Sequence, residues 1–261
     1  MENSKLPGAT VPDISMRCFR RDEIAFPDGS VDRATQVYWL QARSSYGDLR
    51  VPPGRPHRGG AGLSAYDLEE LQALGRQQGS YGACQYQGNV AVWDRLVGFQ
   101  SVVHFPEPGI MSQDGEILIE DSPSGAYREL WAPLPGSSAG HQCYALCAQK
   151  SAGGTWAARQ GGVVVAGDYA MLIVDRLAPV PTLRNIDVII AELWPNRNAI
   201  AALLDCEFSF GVRRPGTQTF DIRLSTLPFR EDDSFTVPDA AGEATDRNQG
   251  EMLWRRWEAA I

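Results

Sequence analysis

Residues 80–96 read SYGACQYQGNVAVWDRL, and this stretch decides the fold. Tyr81 to Gln87 and Val90 to Leu96 are two runs of strand-forming residues joined by Gly88-Asn89, a turn pair that suits a two-residue β-hairpin. Further strands follow at Val97–Phe105, Ile117–Glu120 and Tyr127–Ala132, punctuated by Gly115 and Gly125. That is an antiparallel meander. An open meander leaves unpaired strand edges, and closure into a barrel is the usual way to remove them.

Upstream, Met16–Phe19 and Gln36–Ala42 read as strands around the turn signal Pro27-Asp28-Gly29. Ser64 and Asp67 form a capping-box pattern before Leu68, Leu71 and Leu74, which predicts one short helix ending near Gly79. Downstream, Pro133-Leu-Pro-Gly-Ser-Ser138 breaks both helices and ladders and divides the chain. The expected organisation is a flexible tail over 1–12, a first barrel over 13–135 and a second over 136–261. The second half carries strands at Gln142–Ala148, Thr155–Arg159, Gly162–Ala166, Tyr169–Arg176, Cys206–Val212, Thr219–Ser225 and Glu251–Trp257. Between Thr182 and Leu204 the apolar spacing favours helix broken at Pro195, and Pro238–Gly250 reads as an exposed loop. The fold class is therefore mainly β, as two antiparallel barrel lobes with one or two short helices each.

Composition narrows the function. The chain has 261 residues, 26 of them Gly and 17 Pro, and a net charge of −8 with no basic stripe, so nucleic acid is not an expected partner. No run approaches the roughly 20 apolar residues of a spanning helix, and a membrane partner is not expected either. Five irregularly spaced cysteines and the polar Met1–Pro12 segment fit free thiols and a cytoplasmic location. His57, His104 and His141 show no paired-ligand spacing, so no metal is expected; glycine-rich phosphate loops and a Gly-x-Ser-x-Gly elbow are also missing, so no cofactor is.

Polar groups that alternate along strands are the remaining signal. Tyr46, Asp48 and Arg50 share one strand face, as do Trp93 and Arg95, and as do Tyr127, Glu129 and Trp131. Facing inward, they form an aromatic pocket with paired charges; facing outward, they form a routine solvated edge. Asp205, Glu207 and Ser209 alternate likewise against Leu204, Cys206, Phe208 and Phe210, and exposure of that carboxylate face is the simpler reading.

The stretches YGDLRVP (46–52), Tyr127-x-Glu129-x-Trp131, LDCEFSFG (204–211) and STLPFR (225–230) together resemble the family of the yeast casein-kinase-interacting protein and its bacterial relatives. The resemblance implies a pair of lipocalin-like (calycin) barrels and supplies no catalytic residues. Three functions stay open. The first is binding of a small, partly apolar molecule, with Trp39, Trp93, Tyr127 and Trp131 as walls and Gln41 and Arg95 among the polar anchors. The second is a cofactor-independent lyase, isomerase, cyclase or hydratase with Asp48 or Glu129 as base and Tyr46 or Arg50 as electrostatic stabiliser. The third is a protein-interaction adaptor. A monomer or homodimer is expected.

Overall fold

The computed structural model describes residues 11–102, 107–150, 154–177, 179–180, 182–237, 242–246 and 250–256. Nine strands form the first sheet: β1 (Cys18–Ala25), β2 (Val31–Asp32), β3 (Gln36–Gln41), β4 (Ser45–Val51), β5 (Gln78–Gln87), β6 (Val90–Gly98), β7 (Gly109–Asp114), β8 (Ile117–Asp121) and β9 (Arg128–Pro133). They follow one another as an antiparallel meander. Pairing of β1 with β9 closes β1 and β3–β9 into an eight-stranded barrel, with β2 added outside on β1. Helix α1 (Leu68–Gly75) lies between β4 and β5.

The second sheet contains β10 (Gln142–Lys150), β11 (Trp156–Ala158), β12 (Gly161–Ala166), β13 (Tyr169–Val174), β14 (Glu207–Arg213), β15 (Thr219–Ser225), β16 (Ser234–Thr236), β17 (Gly242–Asp246) and β18 (Gly250–Arg256). Its order is β16-β15-β14-β13-β12-β10-β18-β17, with β11 on β10. This sheet curls but stays open, since no ladder joins β16 to β17 among the described residues. Helices α2 (Ile186–Leu193) and α3 (Arg197–Leu204) connect β13 to β14 and are separated at Pro195, where Asn196 caps α3 by accepting from Ala199 N at 3.1 Å.

Several boundaries differ from the sequence reading. The strand expected at Val97–Phe105 ends at Gly98, and residues 103–105 lie outside the described part. Strand β7 went unseen because its second half, Ser112-Gln113-Asp114, is polar and exposed. Part of the expected loop Pro238–Gly250 is strand β17, recruited by its ladder with β18. The cap of α1 is Asp67 paired with Glu70 rather than Ser64 paired with Asp67, and the helix stops at Gly75.

The lobes share one core. Leu40, Leu49 and Tyr81 of the barrel join Met171, Ile173 and Phe208 of the second sheet and Ile186 and Ile190 of α2 in one buried cluster. Tyr38 stacks on Phe210 with ring centroids 3.9 Å apart. The close approach needs bare backbone at Gly79, where a Cβ would sit 2.6 Å from the Phe208 ring. Gly79→Ala is therefore expected to cost about 1–3 kcal/mol through overpacking, read as a lower urea midpoint.

Candidate functional site

Period-two alternation on eight strands gives the first barrel an inward face with two unlike ends. One end is apolar and stoppered: Val11 and Met16 pack with Phe19, Trp39 and Tyr86, and Tyr86 Oη donates to Ser15 Oγ at 2.8 Å. The other end carries the charges. Arg21 of β1, Asp48 and Arg50 of β4, Glu120 of β8 and Glu129 of β9 converge there. Glu129 is only 1% exposed, and its Oε1 accepts from Arg21 Nη1 at 2.8 Å and from Arg50 Nη1 at 3.0 Å. Arg21 also donates to Asp32 Oδ2 at 2.9 Å, and Arg50 Nε donates to Asp48 Oδ1 at 2.8 Å.

Beside this charged chain sits a carboxyl with no ion pair among the described residues. Glu120 Oε1 meets Tyr127 Oη at 2.9 Å, and Oε2 accepts from Trp131 Nε1 at 3.1 Å. Glu120 and Glu129 are direct partners across the β8–β9 ladder. Burial, reinforced by the Glu129 carboxylate, pushes Glu120 up to about 8, so it is protonated at neutral pH. Its contact with Tyr127 serves either protonation state, since a hydroxyl can donate or accept. Burial also raises Asp48 and Tyr46. The floor is aromatic: Trp39 meets Trp131 and Trp93 edge-on at 5.4 and 6.1 Å, and Tyr46 meets Trp93 at 6.5 Å. Arg50 lies 5.9 Å from the Trp131 ring centre and keeps 25% of its side chain exposed at the mouth.

Of the residues expected from sequence, Asp48, Arg50, Glu129, Tyr127 and Trp131 gather at the polar end, with Trp39 and Trp93 beneath them. Tyr46 faces inward but is engaged with Ser80 Oγ at 2.7 Å. Gln41 is brought to the stoppered end, donating to Ala42 O and Ser45 O. Arg95 spends its guanidinium on the carbonyls of Gln100 and Ser101. Sequence reading missed Glu120, Arg21 and Asp32. Leu118 and Glu120 alternate on one face, and counting back from the Ser122–Gly125 turn sets Glu120 opposite Glu129. The signal was present, but only in the register. A groove of about 230 Å³ reaches the same end from outside, between β1 and the β2–β3 connection, with Arg21, Thr35 and Val37 in its wall.

A solved structure shares this fold. It is the uncharacterized protein YLR301w from Saccharomyces cerevisiae, with a TM-score of 0.52 at 12% identity over 93% of this chain and 98% of that one. No protein-family model matches the chain, and no curated protein does. The likeness is one of fold alone.

In the second sheet the expected solvated face is buried. Glu207 and Ser209 are 1% and 0% exposed because β14 carries the first barrel against one face and its own sheet's concave core against the other. Glu207 accepts from Arg230 Nε at 2.8 Å and from Ser209 Oγ, and Arg230 Nη1 donates to Asp233 at 2.7 Å. Asp205 falls outside the strand and pairs with Arg159. Among the described residues no group of three His, Cys, Asp or Glu is placed to hold a metal ion, and no helix is long and apolar enough to cross a membrane. All five cysteines are free thiols.

Proposed function

We propose that the first barrel binds a small, partly apolar molecule at its polar end, within a two-barrel calycin-like family. One observation carries the reading: a run of paired charges, Asp32–Arg21–Glu129–Arg50–Asp48, with Arg21, Glu129 and Asp48 buried, comes to the mouth of an aromatic-lined barrel. Buried charges are costly even when paired, and a merely structural core has no need of three in one run. Arg50, partly exposed, offers a donor to the ligand's polar group, while Trp93, half-buried, offers a ring face.

Native mass spectrometry of the purified protein, followed by denaturing extraction, tests this. A stoichiometric compound is expected, and Trp93→Ala should bind it at least about tenfold more weakly. Equal affinity in Trp93→Ala and Arg50→Gln would remove the reading.

Glu120 favours a second reading, acid/base catalysis on the bound molecule. A carboxyl that titrates near 8 can donate a proton at neutral pH. This moves the acid/base role from Asp48, which is tied to Arg50, to Glu120. Incubating the extracted compound with protein separates the readings: a carrier returns it unchanged, whereas an enzyme converts it and Glu120→Gln slows conversion by about a hundredfold or more.

A further inference from the structure

We propose that the second sheet carries its own ligand site, for a small organic anion with an apolar body. Where β10, β11 and β12 meet the chain leaving β13, the structure holds a cavity of about 540 Å³. That is the size of a small-molecule pocket. Leu146, Ala158, Leu177 and Pro179 give it apolar walls, and its charged lining is Arg159 and Arg176 against Asp175.

The two arginines differ in what they hold. Arg176 is spent: Nε donates to Leu203 O at 2.9 Å, Nη1 to Gly98 O at 3.2 Å and Nη2 to Phe99 O at 2.9 Å, which ties the second sheet to the barrel. Arg159 is not. Its side chain is 3% exposed, yet its one side-chain hydrogen bond among the described residues runs from Nη2 to Asp205 Oδ2 at 2.9 Å. Nε is enclosed without an acceptor, and no hydrogen bond from Nη1 falls among the described residues. A guanidinium has five N–H donors, and a buried donor left unmet costs about 1–3 kcal/mol. Nη1, which unlike Nε is not among the fully enclosed donors, is the one an oxygen entering from the cavity can meet.

The missing partner is an acceptor with charge. Asp205 sits on the solvent side of the pair, 41% exposed, so it neutralises Arg159 only partly. Asp175 makes no ion pair with Arg159 among the described residues; its Oδ1 accepts from Arg176 N at 2.8 Å, faces Cys206 Sγ at 3.6 Å and lies 4.0 Å from Arg176 Nη1. A carboxylate or sulfonate matches the guanidinium edge, and the four apolar side chains accommodate an alkyl or aryl body. Nothing in the first barrel takes part, so the site stands or falls separately from the proposed function.

The test uses 8-anilinonaphthalene-1-sulfonate fluorescence with hexanoate and 1-hexanol as competitors, on the full chain. Saturable binding is expected, displaced at lower concentration by hexanoate than by hexanol, and weakened at least about tenfold by Arg159→Gln. Ala158→Trp puts an indole into the cavity from an exposed position and leaves Arg159 itself unsubstituted, and should have the same effect if Arg159→Gln fails to fold. Binding that survives in both variants but falls in Trp93→Ala belongs to the first barrel and overturns the proposal. So does displacement by hexanol as effective as by hexanoate.

Discussion

Arg230→Met is expected to lose about 3–5 kcal/mol of stability, the largest loss from any single substitution considered. Arg230 and Glu207 are 0% and 1% exposed, and the 2.8 Å contact between Arg230 Nε and Glu207 Oε1 forms far from water. Removing the cation breaks this buried ion pair while the Ser209 hydroxyl contact with Glu207 stays. In the double variant Glu207→Gln/Arg230→Met position 207 has no charge to strand, and the amide keeps the Ser209 contact. Most of the loss should return, giving a coupling energy of about 2 kcal/mol or more between the two positions. Urea denaturation of the four proteins gives the answer directly. If Arg230→Met lies within about 1 kcal/mol of the parent, the pair contributes nothing net and the second sheet is held by its apolar layer alone.

This pair also marks the limit of what the sequence discloses. Alternation along one strand is legible, so Tyr46, Asp48 and Arg50 fall on a common face by their spacing alone. Which way that face points is decided by partners the local pattern does not contain. For β4 and β9 the partner is the closed barrel, and the charged face turns inward. For β14 both sides are covered, since Phe208 and Phe210 meet the first barrel while Glu207 and Ser209 meet the concave core, so a pattern that reads as half-exposed is wholly buried. Glu120 escaped for a different reason: its role comes from standing opposite Glu129, a fact of register. The break between α2 and α3 was legible because Pro195 acts locally. Strand β7 was not, because Gly109 is strand by its ladder with β6 and the polar Ser112–Asp114 by their ladder with β8.

Glu120 supplies the last expected result, a pH dependence with a definite sign. In the unfolded chain this carboxyl has an ordinary value near 4.5, and in the folded barrel it stands at about 8. Between those values the folded state holds a proton that the unfolded state has released. Raising the pH therefore favours unfolding across that window and has no further effect through this group outside it. Glu120→Gln keeps the shape and the neutral charge but cannot ionise. Its stability relative to the parent should be nearly constant below about pH 4.5 and rise by a few kcal/mol between about pH 5 and pH 9, at no more than about 1.4 kcal/mol per pH unit. Urea midpoints at pH 5, 7 and 9 for the two proteins measure this. The cause of the shift can be tested in the same experiment. After burial, the Glu129 carboxylate is the strongest influence raising Glu120, whereas Arg50 acts to lower it. In a Glu129→Gln background the opposing charge is gone and Arg50 is freed to support an ionised Glu120. The gain from Glu120→Gln at pH 9 should then shrink or change sign. A gain that is the same in both backgrounds would mean that burial alone holds the proton, and the acid/base reading would lose its paired carboxylates.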